Sequence, residues 1–82
     1  MALQSAIRKI QQFKPDFLIV SAGFDTFIDD PIGGFALTTE AYGPIASRIQ
    51  AMSLPTLIIQ EGGYCIEHLG SLVTNFLDGF RI

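Results

Sequence analysis

Apolar residues set the rhythm of this chain. Leu3, Ile7, Ile10 and Phe13 recur at steps of four, three and three, which is one face of a helix over residues 2–13. Lys14-Pro15 ends that helix, because the residue before a proline is driven out of the helical region. Phe17-Leu18-Ile19-Val20 is continuously apolar rather than alternating, which predicts a strand covered on both faces, as in parallel sheets. A long loop over residues 23–37 follows, carrying Asp30-Pro31 and Gly33-Gly34. Thr38 or Thr39 is positioned to cap a second helix, with Glu40 in its positive first turn. Tyr42, Ile45, Ile49 and Met52 mark its apolar face. Pro44 lies beyond the expected first turn and removes one backbone bond, so this helix should start late or kink. Pro55 opens a second strand, Thr56-Leu57-Ile58-Ile59, which Glu61-Gly62-Gly63 breaks. Ile66, Leu69, Val73, Phe76, Leu77 and Phe80 stripe a third helix.

The expected order is α-β-α-β-α. A strand–helix–strand core implies two parallel strands joined by a right-handed crossover. Ligands of open α/β sheets gather at the carboxyl ends of the strands. Asp25 and Tyr64 both follow strand ends directly, so both are expected on that one rim.

Composition sharpens this picture in one respect. Of the 82 residues, 49% are hydrophobic and only 16% charged, which is oily for a free-standing small domain. The excess implies surface meant to be covered, by further chain or by a partner. A net charge of −3, with few and scattered basic residues, gives no reason to expect nucleic acid or an anionic membrane as partner. No apolar run approaches the roughly 18–20 residues of a membrane span. The start, Met1-Ala2-Leu3-Gln4, lacks the basic and apolar regions of a signal peptide. The lone Cys65 excludes an internal disulfide and fits a reducing compartment, so a cytoplasmic location is expected.

Two side chains carry the candidate chemistry. A carboxylate just past a buried strand, Asp25, is either a hard oxygen ligand for zinc or a cap for the amides of its own turn. Tyr64, after two glycines, either swings its hydroxyl toward a substrate or lies half-buried on the rim. A phenol is a neutral donor at pH 7 and can serve a developing oxyanion without carrying charge. Asp30 before Pro31 reads as a structural turn opening. Glu61 reads as a loop carboxylate. Cys65 and His68 share a helix face, but a packed cysteine and a surface histidine are the ordinary reading. No Gly-x-Gly-x-x-Gly or Gly-Lys-Ser/Thr pattern offers a phosphate loop. With one histidine and one cysteine, the chain cannot by itself complete an ordinary zinc catalytic site.

Taken together and in order, several blocks resemble the zinc-dependent family of histone deacetylases and acetylpolyamine amidohydrolases. They are Pro15-Asp16-Phe17 through Ser21-Ala22-Gly23-Phe24-Asp25, Asp30-Pro31-Ile32-Gly33, Leu37-Thr38-Thr39-Glu40-Ala41-Tyr42 and Glu61-Gly62-Gly63-Tyr64. Leu54 through Tyr64, and Leu69-Gly70 through Phe80, look nearest the bacterial acetylpolyamine amidohydrolase branch. The resemblance implies a C-terminal, partial domain over residues 1–82, part of a three-layer α/β/α arginase/deacetylase-like fold. It aligns Asp25 with a zinc-binding aspartate, Tyr64 with the tyrosine that polarises the amide carbonyl, and Gly62 and Gly63 with backbone lining the acyl pocket. It implies hydrolysis of an N-acetyl amide, with acetylpolyamine or acetyl-lysine as substrate and zinc as cofactor of the full-length enzyme. The family's other zinc ligands and its proton-shuttling histidine pair lie upstream of the matching region. The isolated chain is therefore expected to hold no zinc and to be inactive. The rival reading is a non-catalytic α/β module that assembles as a homo-oligomer. Two positions depart from the family pattern: Cys65 stands where an asparagine often follows the tyrosine, and Ile28 where the polyamine branch often has an acid.

Overall fold

The computed structural model describes residues 2–81; Met1 and Ile82, the ends of the expected domain, lie outside them. Helix α1 spans Ala2–Phe13, strand β1 Leu18–Ala22, helix α2 Tyr42–Gln50, strand β2 Thr56–Gln60 and helix α3 Ile66–Asp78. Two short 3₁₀ turns, Phe24–Thr26 and Thr39–Ala41, follow β1 and precede α2. Helix α1 ends as Lys14 turns into the left-handed region at φ 56° and its N–H closes on the Ile10 carbonyl at 3.1 Å.

The strands pair in parallel, Leu18 opposite Thr56 through Ala22 opposite Gln60. This is the expected strand–helix–strand unit, and both carboxyl ends lie on one edge. Val20 and Ala22 of β1 and Ile58 of β2 face a core built with α2 and α3. Its buried members are Ala22, Phe24, Phe27, Tyr42, Ala46, Leu72 and Phe76. Phe76 meets Phe24 edge-on at 5.8 Å, and Phe24 tilts against Tyr42 at 5.6 Å, so α2 and α3 grip the residues just beyond β1. The Asn75 side chain donates to the Thr39 carbonyl at 3.1 Å, and Ser47 Oγ to the Gly79 carbonyl at 3.2 Å.

The structure corrects three expectations. Pro44 is the third residue of α2, within its first turn, where no backbone N–H partner is lost. The helix does start late, at Tyr42, because the 3₁₀ turn takes up Thr39–Ala41; Thr38 flanks that turn without a side-chain capping bond. In α3, Ile66 and Leu77 of the expected stripe are exposed, and Leu72, outside it, is fully buried. The rest of the stripe, Leu69, Val73, Phe76 and Phe80, lies in or against the core. Among the described residues, finally, the strands are covered on one face only. Ile19 is 64% and Leu57 59% exposed, with Ile59 and Phe17 open beside them, and none of the α1 residues is buried.

Leu72→Ala should lower unfolding free energy by about 2–5 kcal/mol, because it empties the centre of a close-packed core. Ile66→Ala, at an 87% exposed position, should stay within about 0.5 kcal/mol of the parent. Urea denaturation followed by circular dichroism measures both. Equal effects would mean that α3 docks on a different face.

Candidate functional site

Beyond the last paired residues the two chains keep running side by side. Glu61 N–H donates to the Ala22 carbonyl at 3.0 Å, and Phe24 N–H to the Gly62 carbonyl at 2.7 Å. The parallel ladder therefore continues into both loops and brings Asp25 beside Gly62. The Asp25 carboxylate lies so close to Gly62 that a Cβ there would sit 2.6 Å from Oδ2. Gly33 packs against the Asp25 backbone, where any Cβ would run into its carbonyl oxygen. Gly63 adopts φ +152°, in the region that favours glycine, and a Cβ on it would crowd Leu69 and Phe24. In this chain, then, Gly62 and Gly63 clear space for Asp25 and Phe24.

Asp30 holds the arrangement together. It is 7% exposed, and its carboxylate accepts three backbone N–H groups: Oδ1 from Ile32 and Gly33, both at 2.9 Å, and Oδ2 from Tyr64 at 2.7 Å. The first two close the Asp-Pro turn expected from sequence. The third spans 34 positions and ties the loop after β2 to the loop after β1. Burial alone would push this carboxyl up. The amides of Tyr64, Ile32, Gly33 and Cys65 together outweigh burial and hold it below its ordinary 3.8.

Thr26 makes a second tie. Its hydroxyl donates to the Gly23 carbonyl at 3.1 Å and shares a 2.8 Å hydrogen bond with the buried Tyr42 hydroxyl. Burial raises the Tyr42 phenol above its usual 10.0; the Thr26 bond opposes this, and the charges of Asp25 and Asp30 add to it. Tyr42 is thus a structural phenol that anchors the Asp25 turn to α2.

Tyr64 behaves differently. Its backbone is pinned, but its ring is 48% exposed. It stands in a cleft of about 480 Å³ with Asp29, Pro31, Cys65, Glu67 and His68. Glu61 is exposed on the neighbouring loop. Cys65 Sγ lies 3.6 Å from His68 Nδ1, and the His68 ring packs on Phe27 at 5.3 Å. Among the described residues, no three or more His, Cys, Asp or Glu side chains come together to hold a metal. Nor is any helix long and apolar enough to cross a membrane. The structure therefore brings Asp25, Gly62, Gly63 and Tyr64 to one rim. Sequence reasoning missed the Asp30–Tyr64 and Thr26–Tyr42 ties; only the local half of the Asp30 turn had a signal.

The rim thus holds a carboxylate and a half-exposed phenol at adjoining ends of two parallel strands. The sequence matches the histone deacetylase domain family over residues 1–80, and the chain belongs to that family. Acetylpolyamine amidohydrolase 2 of Pseudomonas aeruginosa is 47% identical over 80 residues, covering 98% of this chain and 23% of that protein. The acetylpolyamine amidohydrolase of Burkholderia pseudomallei is 44% identical over 78 residues, 95% of this chain and 23% of that protein. A crystal structure of the Burkholderia pseudomallei acetylpolyamine aminohydrolase, of the arginase/deacetylase fold, superposes with a TM-score of 0.91 at 44% identity, over 95% of this chain and 23% of its own. The chain thus spans about a quarter of the length of these relatives.

Asp30 gives a pH signature with a definite sign. Its folded carboxyl is depressed, so its contribution to stability is full above the ordinary 3.8 and is lost as pH falls through the lower folded value. Asp30→Asn should remove that acid-side component. It should also destabilise the fold at neutral pH, since an amide NH₂ would face one of the backbone donors. Thermal midpoints between about pH 6 and pH 2.5 test this. Parallel pH profiles for parent and variant would refute the assignment.

Proposed function

We propose that this chain supplies one wall of the active site of a zinc-dependent amidohydrolase that removes acetyl groups from amines. Acetylpolyamine or acetyl-lysine would be its substrate. The observation that carries the reading is the joint placement of Asp25 and Tyr64, by the continued ladder and Asp30, at the carboxyl edge of a parallel pair. Family membership and the names of the relatives support the reaction class.

In this reading each residue has a distinct task. Asp25 is one oxygen ligand for zinc, held in place by Gly62 and by the turn that Thr26 and Tyr42 anchor. Catalytic zinc takes three protein ligands and keeps an open position. The residues present fit one corner of such a site, and the others would come from chain beyond these 82 residues. Bound zinc supplies polarisation of the carbonyl and activation of water. The half-exposed Tyr64 hydroxyl donates to the oxygen that gains charge as the amide carbon becomes tetrahedral. Its backbone bond to Asp30 fixes where the ring begins its swing, and the backbone of Gly62 and Gly63 lines the acyl end of the pocket.

Transplanting this chain in place of the matching segment of the Burkholderia pseudomallei relative provides the test. The chimera should deacetylate an acetylated amine. Tyr64→Phe should slow kcat by on the order of 10²–10³ with the metal retained, whereas Asp25→Ala should lose zinc by elemental analysis. A folded, zinc-loaded chimera unaffected by Tyr64→Phe would overturn the assignment. The 82-residue chain alone should hold no stoichiometric zinc; tight zinc indifferent to Asp25→Ala would place the metal elsewhere.

A second reading concerns the chain by itself, and the open sheet face favours it. Ile19, Leu57 and Ile59 form an uncovered apolar face, and both strands have an unpaired edge. Covering a few hundred Å² of such surface is worth several kcal/mol at about 25 cal/mol per Å². The isolated chain should therefore form a homo-oligomer, most simply a two-fold dimer. Sedimentation at micromolar concentration reads this directly, and a folded monomer would count against it.

A further inference from the structure

The Asp25 carboxylate stands in a slot between two glycines. A Cβ on Gly23 would sit 2.9 Å from its Oδ1, and one on Gly62 2.6 Å from its Oδ2. The ladder fixes the Gly62 wall, through the bond that the Gly62 carbonyl accepts from Phe24 N–H at 2.7 Å. A side chain fixes the Gly23 wall. Thr26 Oγ donates to the Gly23 carbonyl at 3.1 Å and so closes the turn over Asp25. A carbonyl cannot donate, so that bond takes the one proton of the Thr26 hydroxyl. The 2.8 Å bond between Thr26 Oγ and the Tyr42 hydroxyl must then carry the proton of the phenol. Burial keeps that phenol protonated. The result is a directed chain, Tyr42 to Thr26 to Gly23, running from α2 to the wall of the slot. The Tyr42 ring is itself held, buried and tilted against Phe24 at 5.6 Å. Phe24, Ile45, Ile49 and Phe76 surround the two hydroxyls with apolar groups that offer no other partner.

We propose that Thr26 and Tyr42 are positioning residues for Asp25, and that their hydroxyl chain sets how tightly this site holds zinc. The proposal rests on the assignment of Asp25 as a zinc ligand. Neither hydroxyl serves the metal or the substrate directly; both act through the turn. Thr26 ties together the backbone on either side of Asp25, and so fixes the direction in which the carboxylate leaves it. Tyr42 in turn fixes Thr26, since without the phenol the Thr26 side chain is free to rotate and release the Gly23 carbonyl. That second bond spans 16 positions, so a helix that puts no group on the rim governs the aim of the carboxylate there. A ligand binds best when its lone pairs already point to where the metal will sit. Loss of a group that orients a ligand typically weakens metal binding on the order of 10–100-fold.

The experiment measures zinc affinity in the chimera described above, by competition with a chelator of known affinity. Tyr42→Phe and Thr26→Val each remove one hydroxyl and keep the shape of the side chain. Each should weaken zinc on the order of 10–100-fold, with the metal-free protein still folded by circular dichroism. Thr26→Ser keeps the hydroxyl and should bind zinc as the parent does. The double variant Thr26→Val/Tyr42→Phe should bind no more weakly than the weaker single, because both changes break one chain. Asp25→Ala runs alongside. If it loses zinc while folded Tyr42→Phe and Thr26→Val bind like the parent, the hydroxyl chain is refuted and the zinc assignment stands. If Asp25→Ala keeps parental zinc, the assignment itself falls and takes the proposal with it. Thr26→Ser as weak as Thr26→Val, or losses that add in the double variant, would also overturn it. Should Tyr42→Phe not fold, the comparison of Thr26→Val with Thr26→Ser decides.

Discussion

The site depends on one buried carboxylate that does no chemistry. Asp30 gathers the amides of two loops that follow two different strands, and its carboxylate hydrogen-bonds to both. A buried charge is costly unless its lone pairs are filled. Here backbone donors fill them, and those donors belong to the segments whose relative position matters. The desolvation cost and the geometry are thus coupled. The carboxylate tolerates burial only when the Asp25 loop and the Tyr64 loop lie side by side.

Around that tie, the core and the rim are continuous. Phe24 precedes Asp25 and is packed by Phe76 and Tyr42; Phe27 follows two residues later and carries the His68 ring. The 3₁₀ turn bearing Asp25 therefore has aromatic anchors on both sides and a hydroxyl bond from Thr26 to Tyr42. Glycine does the complementary work. Gly33 and Gly62 allow backbone and carboxylate to approach at distances any side chain would forbid. Large rings set the turn from below, and missing side chains let it close from above.

Much of this was legible in the sequence, for identifiable reasons. Continuous apolar runs ending in glycine located both strands, and the crossover rule made them parallel. That placed Asp25 and Tyr64 on one edge. The same runs suggested cover on both faces, and within this chain only one is covered. An apolar strand states what it needs, and does not say whether the cover comes from the same 82 residues. Periodicity found α3 and most of its core face, Leu69, Val73, Phe76 and Phe80, but missed the fully buried Leu72 and took in the exposed Ile66 and Leu77. The Asp-Pro pair announced its own turn. Its bond to Tyr64, 34 residues away, leaves no local trace, and neither does the pairing of Thr26 with Tyr42.

The bond that fixes Tyr64 uses its backbone N–H, and its side chain stands half exposed outside the core. Scaffold and chemistry at this position are thereby separable. Any residue with an N–H keeps the loops joined, whatever side chain it carries, and only proline is forbidden. Drift at position 64 would meet almost no resistance from folding. Under the role proposed for Tyr64, one codon change there would silence activity and leave a folded protein, whereas a change at Asp30 would cost the fold. Retention of the phenol in a lineage would thus report selection on activity, and retention of the aspartate selection on architecture.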